Sequence, residues 1–205
     1  LPAPPYPYKH LPANDHLERT DEQVADPRTP HPKDDRLLQQ TTALEIYDML
    51  GDLTFLVDSV VDLSRQAKDR ATSLGKKDKT TLEAFADSLD ALHETLVVTE
   101  GGWISGREEL RERLGALYGD VSGYDGRPSG SQIERMARLQ SELDAKEAEF
   151  EAIAKKMDSV NRALAKRDLE PLERLTLEEW QAKQEGSGGS SSMASRVAFG
   201  LMPGF

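Results

Sequence analysis

Proline placement limits this chain more than any other feature. Its fixed φ and missing N–H exclude proline from helix interiors and from the middle of sheets. Eight of the eleven prolines lie within residues 1–33, and none falls between 34 and 127. The opening LPAPPYPYKHLP and the later DPRTPHP therefore read as stiff, extended, polyproline-like chain, and 1–33 forms an arm. Residues 34–184 are free to form long helices. The run 185–192 (EGSGGSSS) reads as a flexible linker, a composition shared by native tethers and fusion scars, and 193–205 as a short apolar terminal peptide.

Periodicity supplies the fold of the middle. Ile46, Leu50, Leu53, Val57, Val60, Ser64, Ala67, Ala71 and Leu74 step by four and three, one stripe of a helix that opens near Asp34 or Asp35 and stops at Gly75. Thr80-x-x-Glu83 reads as a capping box for a helix buried through Leu82, Phe85, Leu89, Leu92 and Leu96 and ended by Gly101-Gly102. Ser105-x-x-Glu108 introduces Leu110, Leu114, Leu117 and Val121. After the turn residues GYDGRPSG, Ser131-x-x-Glu134 introduces Met136, Leu143, Phe150, Met157 and Leu164 at seven-residue intervals, seconded by Leu139, Ile153 and Val160. Thr176-x-x-Glu179 caps a last short turn carrying Trp180.

The expected fold is all-α: an antiparallel up-down bundle of four helices, two of about 55–65 Å and two about half that length. A variant stacks the two short helices end to end along the long pair. Four separately capped segments favour packing within one chain over an intermolecular coiled coil.

Composition then removes function classes. Net charge is -11, carried essentially by 34–185, so nucleic acid is an unsuitable partner. Cysteine is absent, which excludes disulfides, thiolate nucleophiles and cysteine-ligated metals. No uncharged apolar run is long enough to span a bilayer. His93-Glu94 lacks the second histidine of a zincin helix, because position 97 is Val. His10, Asp15 and His16, and His31 with Asp34, sit on proline-rich chain that offers no rigid scaffold for a metal. No nucleophile elbow or phosphate loop occurs. The glutamates of REELRER and SELDAKEAEFEAIAKK alternate with Arg and Lys, as on a solvated helix face. A carboxylate hydrolase would require two acids with raised pKa values inside a cleft. The expectation is a chain without enzymatic activity, cofactor or metal.

The apolar groups without helical period lie in the two tails. Tyr6, Tyr8, Leu11 and Leu17, and Val197, Phe199, Leu201, Met202 and Phe205, suit docking onto protein partners in a larger assembly.

Several short motifs also carry a family resemblance. Asp26-Pro27-Arg28 precedes the long helix from Asp34; Leu114-Gly115-Ala116-Leu117-Tyr118 pairs with the turn Tyr124-Asp125-Gly126-Arg127-Pro128-Ser129; Asn161-Arg162-Ala163-Leu164 falls near the end of the last long helix. In this order 26–172 resembles the C-terminal helical region of bacterial secreted sortilin-type BNR-repeat propeller proteins, often labelled glycosyl-hydrolase-like. The resemblance implies an extracytoplasmic bacterial location, periplasmic or secreted, and an accessory bundle, for instance in a photosynthetic or respiratory membrane complex. Any hydrolase activity would lie in a propeller this chain does not contain, so no catalytic residue carries over.

Overall fold

The computed structural model describes residues 31–99 and 108–187, with side chains as far as 184. These residues form six helices: α1 Lys33–Ala71, α2 Lys76–Leu96, α3 Leu110–Ser122, α4 Gly130–Ala154, α5 Met157–Ala165 and α6 Leu177–Ser187. None of them lies in a strand. Lys155 and Lys156 keep right-handed helical dihedrals between α4 and α5, and Lys156 N–H bonds to the Ile153 carbonyl, three residues back. The two helices are thus one rod with a tightened step, and the described chain has five rods rather than the expected four.

At 1.5 Å per residue α1 is about 58 Å long, and it is the spine of the bundle. α2 returns along its C-terminal half, where Ser64 Oγ donates to Asp90 Oδ1 and Lys68 Nζ to Asp90 Oδ2, both at 2.6 Å. α3 continues toward the start of α1, where Gln39 Nε2 donates to the carbonyls of Val121 (2.9 Å) and Tyr124 (2.7 Å). α2 and α3 therefore lie in succession along one partner, the end-to-end variant of the expected bundle. The α4–α5 rod runs back beside them, tied by the two-pronged Arg113–Glu142 pair and by Arg167–Asp78 at 3.2 Å.

The core follows the predicted stripes. Ile46, Leu53, Val60, Leu89, Leu117, Leu143 and Phe150 are buried, whereas Met136 and Met157 are only partly so. Ala43, Met49, Leu56 and Leu63 are buried as well, a second row on α1 that exists because α1 packs against rods on more than one side.

The helix ends differ from expectation. Gly75 does not close α1, which ends at Ala71 with Thr72 as its cap; it precedes α2 with an extended ψ of 159°. α2 consequently begins at Lys76, and Thr80 lies inside it, its hydroxyl donating to the Lys76 carbonyl. Ser129 with Gln132, not Ser131 with Glu134, forms the box that opens α4. Glu109 with Glu112 opens α3; Ser105 lies outside the described residues. The Thr176–Glu179 box forms as read, with reciprocal bonds at 3.0 and 3.2 Å. α6 continues through 187, so the first three residues of the expected linker are helical.

The resemblance to the BNR-repeat propeller proteins is not upheld. A propeller is built from four-stranded blades, and the described chain is helical without a strand. The matching residues have local structural roles instead. Asn161 clamps Leu172 by two bonds, Nδ2 donating to its carbonyl (3.0 Å) and Oδ1 accepting from its N–H (2.7 Å). Leu114, Leu117, Gly126 and Pro128 are buried. Asp26-Pro27-Arg28 lies outside the described residues.

Candidate functional site

The nine expected anchors, Tyr6, Tyr8, Leu11, Leu17, Val197, Phe199, Leu201, Met202 and Phe205, all lie outside the described residues. What is described is the end of the bundle from which 1–30 depart. There the His31 ring meets Tyr124 edge-on with centroids 5.6 Å apart, and Arg127 Nη1 reaches Asp35 Oδ1 at 3.2 Å. With the two Gln39 bonds, these contacts fasten the start of α1 to the turn after α3. Tyr124 is itself 60% exposed, an aromatic surface beside the first described residue, His31.

The segment leading into α6 is fastened to α1 by polar groups meeting backbone. Gln66 donates to the Glu173 carbonyl (2.9 Å) and accepts from its N–H (3.0 Å). Arg70 donates to the carbonyls of Glu170 (2.7 Å) and Pro171 (2.8 Å). Trp180 is the buried anchor of α6; its indole N–H donates to Asp58 Oδ2 at 2.7 Å, and its ring meets Phe55 edge-on at 5.6 Å. Arg174 lies over the Phe150 ring and pairs with Glu151. Trp180 sits in the last turn the sequence singled out, but nothing in the sequence names Asp58 as its partner.

The titratable groups divide into paired and unpaired. Burial works against the Asp90 carboxylate, but bonds from Lys68 and Ser64 hold its pKa below the ordinary value. Arg113 holds Glu142 low, and Arg174 holds Glu151 low. Asp52 and Glu147 go the other way. Burial raises both, the neighbouring Asp48 adds to the shift of Asp52, and Asp52 and Asp144 add to that of Glu147. Both acids are only partly screened from solvent, and neither lines the grooves described below. Half-buried His93 is pushed below the ordinary histidine value by desolvation, against the pull of Asp90. Among the described residues no group of three or more His, Asp or Glu is placed to hold a metal ion.

Two open grooves cross the surface. The larger, ≈ 870 Å³, lies between the first half of α2 and the start of α5. The smaller, ≈ 620 Å³, follows the Asn161 clamp, from Asp158 to Pro171. The sequence gives no warning of the larger, because it depends on how two distant segments are placed.

No family model, no curated protein and no solved structure matches this chain.

Proposed function

We propose that this chain is a non-catalytic interaction subunit, a preformed helical spacer that joins proteins of a larger assembly through its N-terminal arm and C-terminal peptide. The observation that carries this reading is that the bundle spends its apolar stripes on itself. Ile46, Leu53, Leu89, Leu117, Leu143 and Leu164 are at most 1% exposed, which supports a bundle complete within one chain. Affinity between proteins needs desolvated apolar anchors, and the anchors the sequence leaves over are Tyr6, Tyr8, Phe199, Leu201 and Phe205 with their neighbours. No helix among the described residues is long and apolar enough to cross a membrane. The absence of cysteine is permissive of an extracytoplasmic place without requiring it.

Deleting 1–25 and 193–205 tests the reading. The trimmed bundle should keep its melting temperature and lose its partners when native extracts are fractionated; partners retained at full strength would make the tails bystanders.

A second reading, self-association, is favoured by Leu37 and Leu44. They stand seven residues apart on α1 and are 58% and 38% exposed. If that short seam pairs two chains, sedimentation will show a dimer that Leu37→Glu with Leu44→Glu disperses.

A further inference from the structure

The larger groove differs from the rest of this acidic protein. Its lining contains Lys76 and Lys77 on α2, Lys156 at the α4–α5 step, and no carboxylate. None of the three lysines enters an ion pair among the described residues. Of the acids nearest in sequence, Asp78 is paired with Arg167 at 3.2 Å and Glu83 with Lys79 at 3.7 Å, while Asp158, two residues from Lys156, lines the smaller groove instead. Three cations without an ion pair among the described residues thus face a shared cleft in a chain whose net charge is -11.

The hydroxyls of the groove narrow the chemistry further. Thr80, Thr81, Ser88 and Ser159 each donate to a carbonyl of their own helix, at 2.9, 3.3, 2.8 and 3.0 Å. With the hydrogen committed, each oxygen presents lone pairs only. A phosphate ion, which offers mainly acceptor oxygens, would be served by the lysines but would largely meet lone pairs at the hydroxyls. A peptide offers carboxylates to the ammoniums and N–H groups to the oxygens. Ala84 is exposed at the groove, with the buried Phe85 and Val160 at its floor, an apolar patch for the remaining side chains.

We propose that the α2–α5 groove is a docking site for an acidic peptide segment of a partner protein, held by Lys76, Lys77 and Lys156. Its lining residues fall within 76–160, outside both tails in the sequence, so it stands or falls independently of the function proposed for them.

The test titrates the full chain into a fluorescein-labelled peptide of interleaved glutamate and leucine and follows fluorescence anisotropy. Saturable binding that weakens with salt is expected. The triple variant Lys76→Glu, Lys77→Glu, Lys156→Glu should bind about tenfold more weakly or worse. Lys33→Glu, Lys166→Glu, Lys183→Glu makes the same change in net charge outside the groove and should bind as the parent does. Ala84→Trp fills the groove without altering charge and should also weaken binding; it decides the matter if circular dichroism shows the first triple variant unfolded.

Absence of binding, equal loss in both triple variants, or unaltered binding by Ala84→Trp overturns the proposal. So does displacement of the peptide by an equal concentration of pyrophosphate, which would assign the lysines to a phosphate ligand. Loss of the peptide on deleting 1–25 and 193–205 alone would move the binding to the tails and overturn the groove.

Discussion

Asp168 is the one described non-glycine residue with positive φ, at 55°, and it follows α5. Leu169 N–H bonds to the Leu164 carbonyl and Asp168 N–H to that of Ala165, the paired bonds of a Schellman motif with Asp168 in the left-handed place. Glycine adopts that conformation without a Cβ penalty. Asp168→Gly should therefore raise the stability of the bundle by about 0.5–1 kcal/mol, measured by urea denaturation. Trp180 makes the opposite case. Replacing it with Phe keeps most of the ring but leaves Asp58 without the indole donor. The expected cost is about 1–3 kcal/mol, with α6 losing protection from amide exchange before α1 does. In the core, Leu143→Ala should cost about 2–5 kcal/mol, because Leu143 is 1% exposed between rods.

At the scale of elements, α1 contains Gly51 in its interior, and a Cβ added there meets nothing within 4 Å. Gly51→Ala should accordingly stabilise the chain by about 0.5–1 kcal/mol, seen as a higher melting temperature. Asp52 and Glu147 form an unfavourable place on the seam between α1 and α4. The native state raises their pKa values, so it binds protons more readily than the unfolded chain, and their contribution to stability grows as pH falls. Glu147→Gln should melt above the parent at neutral pH, and the gap should close as pH drops through the raised pKa.

How far the elements were legible follows from the same physics. A four-and-three repeat reports one buried stripe reliably, which is why Leu82 through Leu96 and Leu110 through Val121 read correctly. The second row on α1 was missed because a stripe's width depends on how many neighbours a helix has, and that is tertiary. Capping boxes were less dependable. Ser129-x-x-Gln132 and Ser131-x-x-Glu134 both fit the pattern, and a threonine inside a helix satisfies its hydroxyl on the carbonyl four residues back, as Thr80 does. Gly75 was read by its commonest use at a helix end, whereas its extended backbone here leads into the next helix.

For the whole molecule, the carboxylates held low, Asp62, Asp90, Glu142, Glu151 and Glu179, outnumber the two acids raised. A lowered acid contributes stability above its unfolded pKa and loses it as pH falls through the folded value. The bundle should thus weaken on acidification below the ordinary carboxylate range, even as the Asp52–Glu147 repulsion is relieved; melting curves across that range check the sign. The lysine groove was illegible for a reason of the same scale. By the sequence reading Lys76 and Lys77 fall in the connection between Gly75 and the Thr80 box, and Lys156 lies about eighty residues away. Only the return of the α4–α5 rod brings them to one cleft.

α2 and α3 are both held by α1, and the Glu112 carboxylate accepts from the N–H of Val98 and of Glu109, each at 3.3 Å. The two ends of the connection are thus located by contacts on either side of it, independently of the covalent link through 100–107. The protein should tolerate being cut there. Fragments ending at 99 and starting at 108, expressed separately, are expected to find each other and restore the parental helical signal, as would a chain with a fluorescent protein spliced into the gap. Failure of the mixed fragments to recover helicity would mean that the bundle relies on an intact chain to bring its halves into register.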